Sequence, residues 1–259
     1  MPSLQIQTYS LSEGIELSFT DSGAPPDSVS YTTVFFLHGG IFNAYQFHKV
    51  HAHAHALNLR TVLLHRRDYA GSTPYSGTEI EELKEGSVVF WERLSAQLAE
   101  FLGIFIKREK IPKRKRGVAI FGWSAGCSTV LSLLGAIQNQ FIPDDLYKGL
   151  QEYVRSCLIY DPTYFSFGYT PPSDSRNYIP WDDPTVSKED LPQVVAEWVS
   201  SYYDHPCYDV VGQSLPSTAS IYDLDGIRSK SEQISFSSWT EEDIAKGLEG
   251  ASANNEVLA

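Results

Sequence analysis

Four short apolar runs set the texture of the first 160 residues: VFFL (34–37), TVLL (61–64), VAIF (118–121) and CLIY (157–160). They are rich in β-branched and aromatic residues, and glycines or a proline cut several of them off. Runs of this kind predict strands buried on both faces. Upstream, LQIQTYSL (4–11) and IELSFTDSG (15–23) are joined by Ser12, Glu13 and Gly14, which predicts a hairpin. Phe90, Leu94, Leu98, Phe101, Leu102 and Phe105 recur at helical spacing and predict a helix over 87–107. Residues 44–58 and 125–138 also read as helices, whereas 70–78 reads as a turn-rich loop.

Strands alternating with helices indicate an α/β fold: a mostly parallel sheet with helices on both faces. After Asp161 the texture changes, with prolines, aromatics and polar turns replacing the buried strands. The expected organisation is therefore a core over 1–161 and a helical segment with a polar tail over 162–259. Within the second part, Leu191, Val194, Val195, Trp198, Val199 and Tyr202 share one helical face over 191–203. Asp190 is expected to cap that helix, and Pro192 suits its first turn. A shorter helix is expected to start at Thr240, where TEED resembles a capping box.

The third buried run leads into GWSAG (122–126), a match to G-x-S-x-G. In that motif a serine stands at a strained corner between strand and helix, and the glycines allow neighbouring backbone to approach. Ser124 is thus the candidate nucleophile. The amides of the following helix point at the site, which makes Ala125 N–H a candidate oxyanion donor. LHGG (37–40) ends an earlier strand and offers a second donor at Gly40 or Ile41. Trp123 and His38 are expected beside the pocket, with His38 read as a structural member of the loop rather than as the base.

These motifs resemble the α/β-hydrolase superfamily. FFLHGG is similar to its oxyanion strand and loop, and GWSAG to its nucleophile elbow. RRDYAGST (66–73) is similar to its Arg-Gly-x-Gly-x-Ser turn, with Asp68 and Ala70 in place of the two glycines. The resemblance covers 15–162, and it implies that 162–259 corresponds to an inserted cap. It implies a serine hydrolase acting on an ester or similar acyl compound, with no cofactor and no metal. A serine at the elbow speaks against relatives with an aspartate nucleophile, such as epoxide hydrolases.

The family order of serine, acid and histidine is harder to complete. Only His205 follows Ser124, and the last forty residues contain neither a histidine nor a strand-like run. Three alternatives stand. The chain is a shortened member whose last strands and histidine are missing, or His205 serves as base with Asp161 as acid. In the third alternative the fold binds without chemistry. If the late strands are absent, the sheet has an open edge that favours self-association.

Charge and composition narrow the partners. The net charge of −12 argues against nucleic acid or an anionic membrane surface. The basic run KREKIPKRKR (107–116) reads as a solvated connection. Three cysteines, Cys127, Cys157 and Cys207, show no zinc spacing and read as free thiols. His48, His51, His53 and His55 cluster in one segment, but no glutamate lies between the pair four apart, so the cluster reads as an exposed helix rather than a metal site. The N-terminus lacks the basic-then-apolar pattern of a signal peptide, and no apolar stretch spans a bilayer. A cytoplasmic location is expected.

Overall fold

The computed structural model describes residues 5–113, 116–135, 139–168, 178–204, 214, 216–218, 227–228, 234–250, 252 and 255. It divides into two compact units. The first holds 1–168 together with 247–259, and the second holds 169–246. The expected division at 161/162 is therefore displaced to Gly168. The segment from Gly247 onward, expected with the tail, belongs to the first unit, because it hydrogen-bonds to residues 41–43 and 68–70.

The first unit is built on one six-stranded sheet. Its strands are β1 (Gln7–Ser10), β2 (Glu16–Asp21), β3 (Thr32–Leu37), β4 (Leu59–Leu64), β5 (Val118–Trp123) and β6 (Val154–Tyr160), in the order β1-β2-β4-β3-β5-β6. The expected hairpin forms, with β1 and β2 antiparallel and β2 antiparallel to β4. β4, β3, β5 and β6 run parallel. All four apolar runs are strands. The expectation of uniform burial fails for β6, where Leu158 is 44% exposed and Tyr160 60% exposed. Its backbone pairs with β5 alone among the described residues.

Helices lie on both faces. α1 (His51–Ala54) sits between two 3-10 segments, Ala44–Val50 and His55–Leu57. The helix expected over 44–58 is therefore three short helical pieces. Asn58, with φ 55°, closes the last of them. α2 (Gly77–Lys84) occupies part of the stretch read as a loop; its capping box joins Ser76 and Glu79. α3 (Val88–Arg108) confirms the helical spacing and buries Phe90, Leu94, Leu98, Phe101, Leu102 and Phe105. α4 (Gly126–Leu134) is capped at Gly135, and 136–138 of the expected helix lie outside the described residues. α5 (Asp144–Gln151) was not anticipated, although Asp144 and Asp145 in its first turn and Lys148 near its end suit a helix dipole.

The core is an aromatic stack between sheet and α3. Phe19, Phe35, Phe101 and Phe105 are fully buried, with Phe35–Phe105 centroids 5.0 Å apart and Phe19–Phe101 5.3 Å apart, edge to face. Each such side chain contributes about 1.5–3 kcal/mol through burial. This stack fastens β2 and β3 to α3.

The second unit contains α6 (Leu191–Ser200), α7 (Glu241–Gly247, whose last residue falls in the first unit) and a two-residue antiparallel pair, β7 (Tyr203–Asp204) with β8 (Ile227–Arg228). Asp190 does not cap α6 with its side chain. Instead its carboxylate accepts from Ser187 Oγ at 2.7 Å, and its N–H donates back to that oxygen. The box at Thr240 forms as expected, with Asp243 as its partner. Trp181 and Trp198 pack edge to face at 5.6 Å, and Tyr203 OH donates to Trp198 O, so these aromatics serve the unit's own core.

Candidate active site

Three backbone corners meet at the carboxyl edge of the parallel strands, where ligands of open α/β sheets bind. The first is the elbow. β5 ends at Trp123, and Ser124 turns into the left-handed region at φ 50° before α4 begins. That conformation costs a non-glycine residue roughly 1–3 kcal/mol and lifts the side chain out of the strand direction. Ser124 N–H donates to Tyr160 O at 3.1 Å, and its carbonyl accepts from Cys127 N–H at 2.9 Å. Cys127 Sγ donates to Gly122 O at 3.1 Å, and burial pushes this thiol upward in pKa. The serine side chain is half-buried rather than enclosed in the sheet.

The two elbow glycines are required by approach distance. A Cβ on Gly126 would lie 2.4 Å from Leu37 O and 2.6 Å from His38 O, and one on Gly122 would lie 2.9 Å from Cys127 Cα. The elbow is thus pressed against the end of β3.

The second corner is the loop after β3. A Cβ on Gly39 would lie 3.0 Å from both Ser124 Cβ and the Trp123 ring, so this loop rests directly on the candidate nucleophile. Gly40 follows, and Phe42 N–H donates to Gly40 O at 2.8 Å around Ile41, whose φ is 59°. Gly40 N–H and Ala125 N–H take part in no hydrogen bond within the described residues, as an oxyanion pair requires. Trp123 packs on Phe47 and Phe42, with centroids 6.3 and 6.5 Å away.

His38 is fully enclosed. It does not line an open pocket, a correction to its expected place, because the chain folds the ring back under the loop. Its Nδ1 bonds to Gly39 O at 2.8 Å, and its Nε2 accepts from Arg66 N–H at 3.0 Å. Burial, with the Arg66 cation beside it, holds its pKa well below the usual histidine range. A neutral ring that already accepts a backbone proton is a loop scaffold.

The third corner is the turn after β4. Asp68, standing where the resembling turn has a glycine, adopts φ 73° and so supplies the left-handed residue itself. Arg66 Nη2 donates to Gly39 O at 3.0 Å and ties this turn to the previous loop.

Asp161 follows β6, one residue beyond the carbonyl that anchors Ser124, and is exposed with φ 47°. Its carboxylate makes no hydrogen bond or ion pair among the described residues. His205 lies outside the described residues, as does Cys207. His51 is buried between Thr20 Oγ1 at 3.0 Å and Thr61 Oγ1 at 2.6 Å, while His53 and His55 are exposed. The histidine segment thus anchors to the sheet through one ring. Among the described residues no cluster of ligating side chains suits a metal, and no helix is long and apolar enough to cross a membrane.

No family model matches the chain. No curated protein matches it either. Solved structures do. An epoxide hydrolase mutant from Vigna radiata aligns over 100% of this chain and 70% of its own, at 11% identity and TM-score 0.51. The chain has the α/β-hydrolase fold. An esterase from a Rhodococcus species (17% identity, TM-score 0.40) and an alpha/beta hydrolase from Novosphingobium aromaticivorans (19%, TM-score 0.36) also align, over 60% and 55% of this chain. This chain spans 44% and 42% of their respective lengths. In this chain the corner after β5 carries Ser124, and the loop after β3 lies against it. Glu249, Asn43 and Asp68, which join the loops of this site, were missed in the sequence. Only Asp68, at a glycine position of a tight turn, carried a signal.

Proposed function

We propose that the protein is a serine hydrolase acting on an ester or similar acyl substrate. The observation that supports this reading is the pairing of Ser124, held left-handed at a strand–helix corner, with a loop whose Gly39 touches it. In this reading Ser124 Oγ attacks the substrate carbonyl carbon. The carbonyl oxygen becomes negative and is held by the amides of Ala125 and Gly40. The C–O bond to the alcohol then breaks, the alcohol leaves with a proton, and water releases the acid from the serine. The elbow residue also argues for acyl chemistry over that named for the Vigna radiata protein, since a serine rather than an aspartate stands there.

The base is assigned to His205 and the orienting acid to Asp161. Cytoplasmic residence belongs to the same proposal, in keeping with Cys127 and Cys157 as free thiols. A second reading, a fold that binds without turnover, is favoured by one observation: His38 and His65, the histidines of the second and third corners, are both buried. Lacking a base, the site would retain roughly 10³–10⁴-fold acceleration over water from its oxyanion hole and binding.

Labelling with a fluorophosphonate probe separates the two. Labelling of the wild type that disappears in Ser124→Ala supports the hydrolase. Folded wild-type protein that takes up no label rejects it in favour of the binding reading.

A further inference from the structure

The loop after β3 carries more strain than its own bonds explain. Ile41 is β-branched and sits at φ 59°, while Phe42 N–H closes back on Gly40 O. A hydrogen bond from residue i+2 to residue i around a positive φ is the mark of the strained γ-turn. Left-handed backbone costs roughly 1–3 kcal/mol and persists only where surrounding structure over-determines it. Here the surrounding structure comes from far along the chain. Asn43 N–H donates to Gly247 O at 2.9 Å, and Glu249 N–H donates to Ile41 O at 2.7 Å, so Phe42 and Leu248 form an antiparallel bridge.

The Glu249 side chain adds a second lock. One carboxylate oxygen accepts from Asn43 Nδ2, and the other accepts from Ala70 N–H at 2.8 Å. The same carboxylate therefore joins the loop after β3 to the turn after β4. Asn43 Oδ1 in turn accepts from Tyr45 N–H at 2.8 Å and starts the following helical segment. Farther on, Ser252 Oγ donates to Asp68 O, and Asn255 Nδ2 donates to Asp68 Oδ2 at 2.8 Å. Residues 247–250 with Ser252 and Asn255 thus form a strap across two of the three corners, and among the described residues Glu249 is its one side chain bonded to both.

We propose that Glu249 is a positioning residue: its carboxylate holds the Gly40–Ile41 turn in the geometry that presents an amide to the oxygen of a carbonyl attacked by Ser124. The proposal rests on the hydrolase reading for its chemical consequence, but the mechanical link is independent of it. Glu249 need not touch the substrate. Its effect on rate comes from where it keeps a backbone N–H, since oxyanion donors act only when already aimed.

The test compares wild type, Glu249→Ala and Glu249→Gln by two measurements on the full chain. The first is the rate of fluorophosphonate labelling at saturation together with the half-saturating probe concentration. Glu249→Ala is expected to lower the saturating rate roughly 10- to 100-fold, the cost of misplacing a group by about an ångström, with half-saturation little changed. Glu249→Gln, which keeps one acceptor, is expected in between. A merely structural role would not split rate from half-saturation in this way. The second measurement is amide hydrogen exchange over 39–45, which is expected to quicken in Glu249→Ala while exchange in β3 and β5 stays slow. Labelling within about twofold of wild type, well short of the weakest expected cost, overturns the proposal. So does unchanged exchange over 39–45. If wild type takes no label while exchange quickens in the variant, the hydrolase reading falls and the strap stands. If wild type labels and neither readout moves, the reverse holds.

Discussion

Ser124 N–H donates to the carbonyl oxygen of Tyr160 at 3.1 Å, so the last residue of an edge strand holds the corner on which the proposed nucleophile stands. Both corners of this pair are left-handed, with Ser124 at φ 50° and Asp161 at φ 47°. The chemistry proposed for the site therefore depends on backbone packing at the end of β6 as well as on the motif.

The close approach of α4 to β3 yields the first expectation. A methyl at position 126 would meet two backbone oxygens, neither of which is a flexible side-chain tip. Gly126→Ala should destabilise the fold by about 3 kcal/mol, the upper range of overpacking. In a thermal melt that corresponds to a fall in Tm of roughly 6–10 °C. A Tm within a degree of wild type contradicts the geometry.

Gly39→Ala should behave differently. Its new Cβ meets the side chains of Ser124 and Trp123 at 3.0 Å, in a backbone conformation open to any residue. A small displacement of the loop relieves the contact, so stability should change by about 1 kcal/mol or less. The same displacement moves the proposed oxyanion amide, and fluorophosphonate labelling should slow by roughly tenfold or more. Equal labelling rates in variant and wild type would place the amide elsewhere.

Acid should unfold the protein through its buried imidazoles. Burial lowers the pKa of His51 and of His65 to about 4. An unfolded chain returns each to about 6.5, so between those values the unfolded state binds more protons. The stability contributed by the neutral rings is complete above about pH 6.5, falls as pH drops, and is fully lost below about 4, at up to roughly 1.4 kcal/mol per pH unit for each ring. Tm measured from pH 7.5 to 4 should decline along this window. His65→Phe, which removes a ring whose Nδ1 has no partner among the described residues, should make the decline shallower. A slope identical to wild type would exonerate His65.

The outer edge of β6 should bring copies of the chain together. Leu158 and Tyr160 are exposed on a strand paired on one side among the described residues. Edge strands are protected by charge, and Leu158→Lys supplies one. Sedimentation is expected to show concentration-dependent association for wild type, shifted toward monomer in the variant. A wild-type monomer at every concentration rejects this.

Much of the first unit was legible because its signals are local. The apolar runs marked all four parallel strands, and the spacing of Phe90 to Phe105 marked α3 to within a residue or two. GWSAG announced the elbow because its glycines answer to distances of 2.4–2.9 Å. What escaped were features set by partners. β6 reads as a buried strand because Leu158 and Tyr160 are apolar, yet composition carries no record of whether a neighbour pairs with its far edge. α2 was hidden by Gly77 and Thr78, although Ser76 and Glu79 had the capping spacing. The role of Glu249 was invisible, since its bonds reach residues 179 and 206 positions away.

Those separations carry a consequence for how the molecule matures. Contacts of such span form late, because the intervening chain must first be ordered to bring their ends together. As the polypeptide emerges from the ribosome, the aromatic stack and the strands through β6 have all their residues long before Glu249 is added. A nascent protein can thus possess its scaffold and its serine while the turn at Ile41 is still free to relax. Competence would arrive as a later, separate step of assembly.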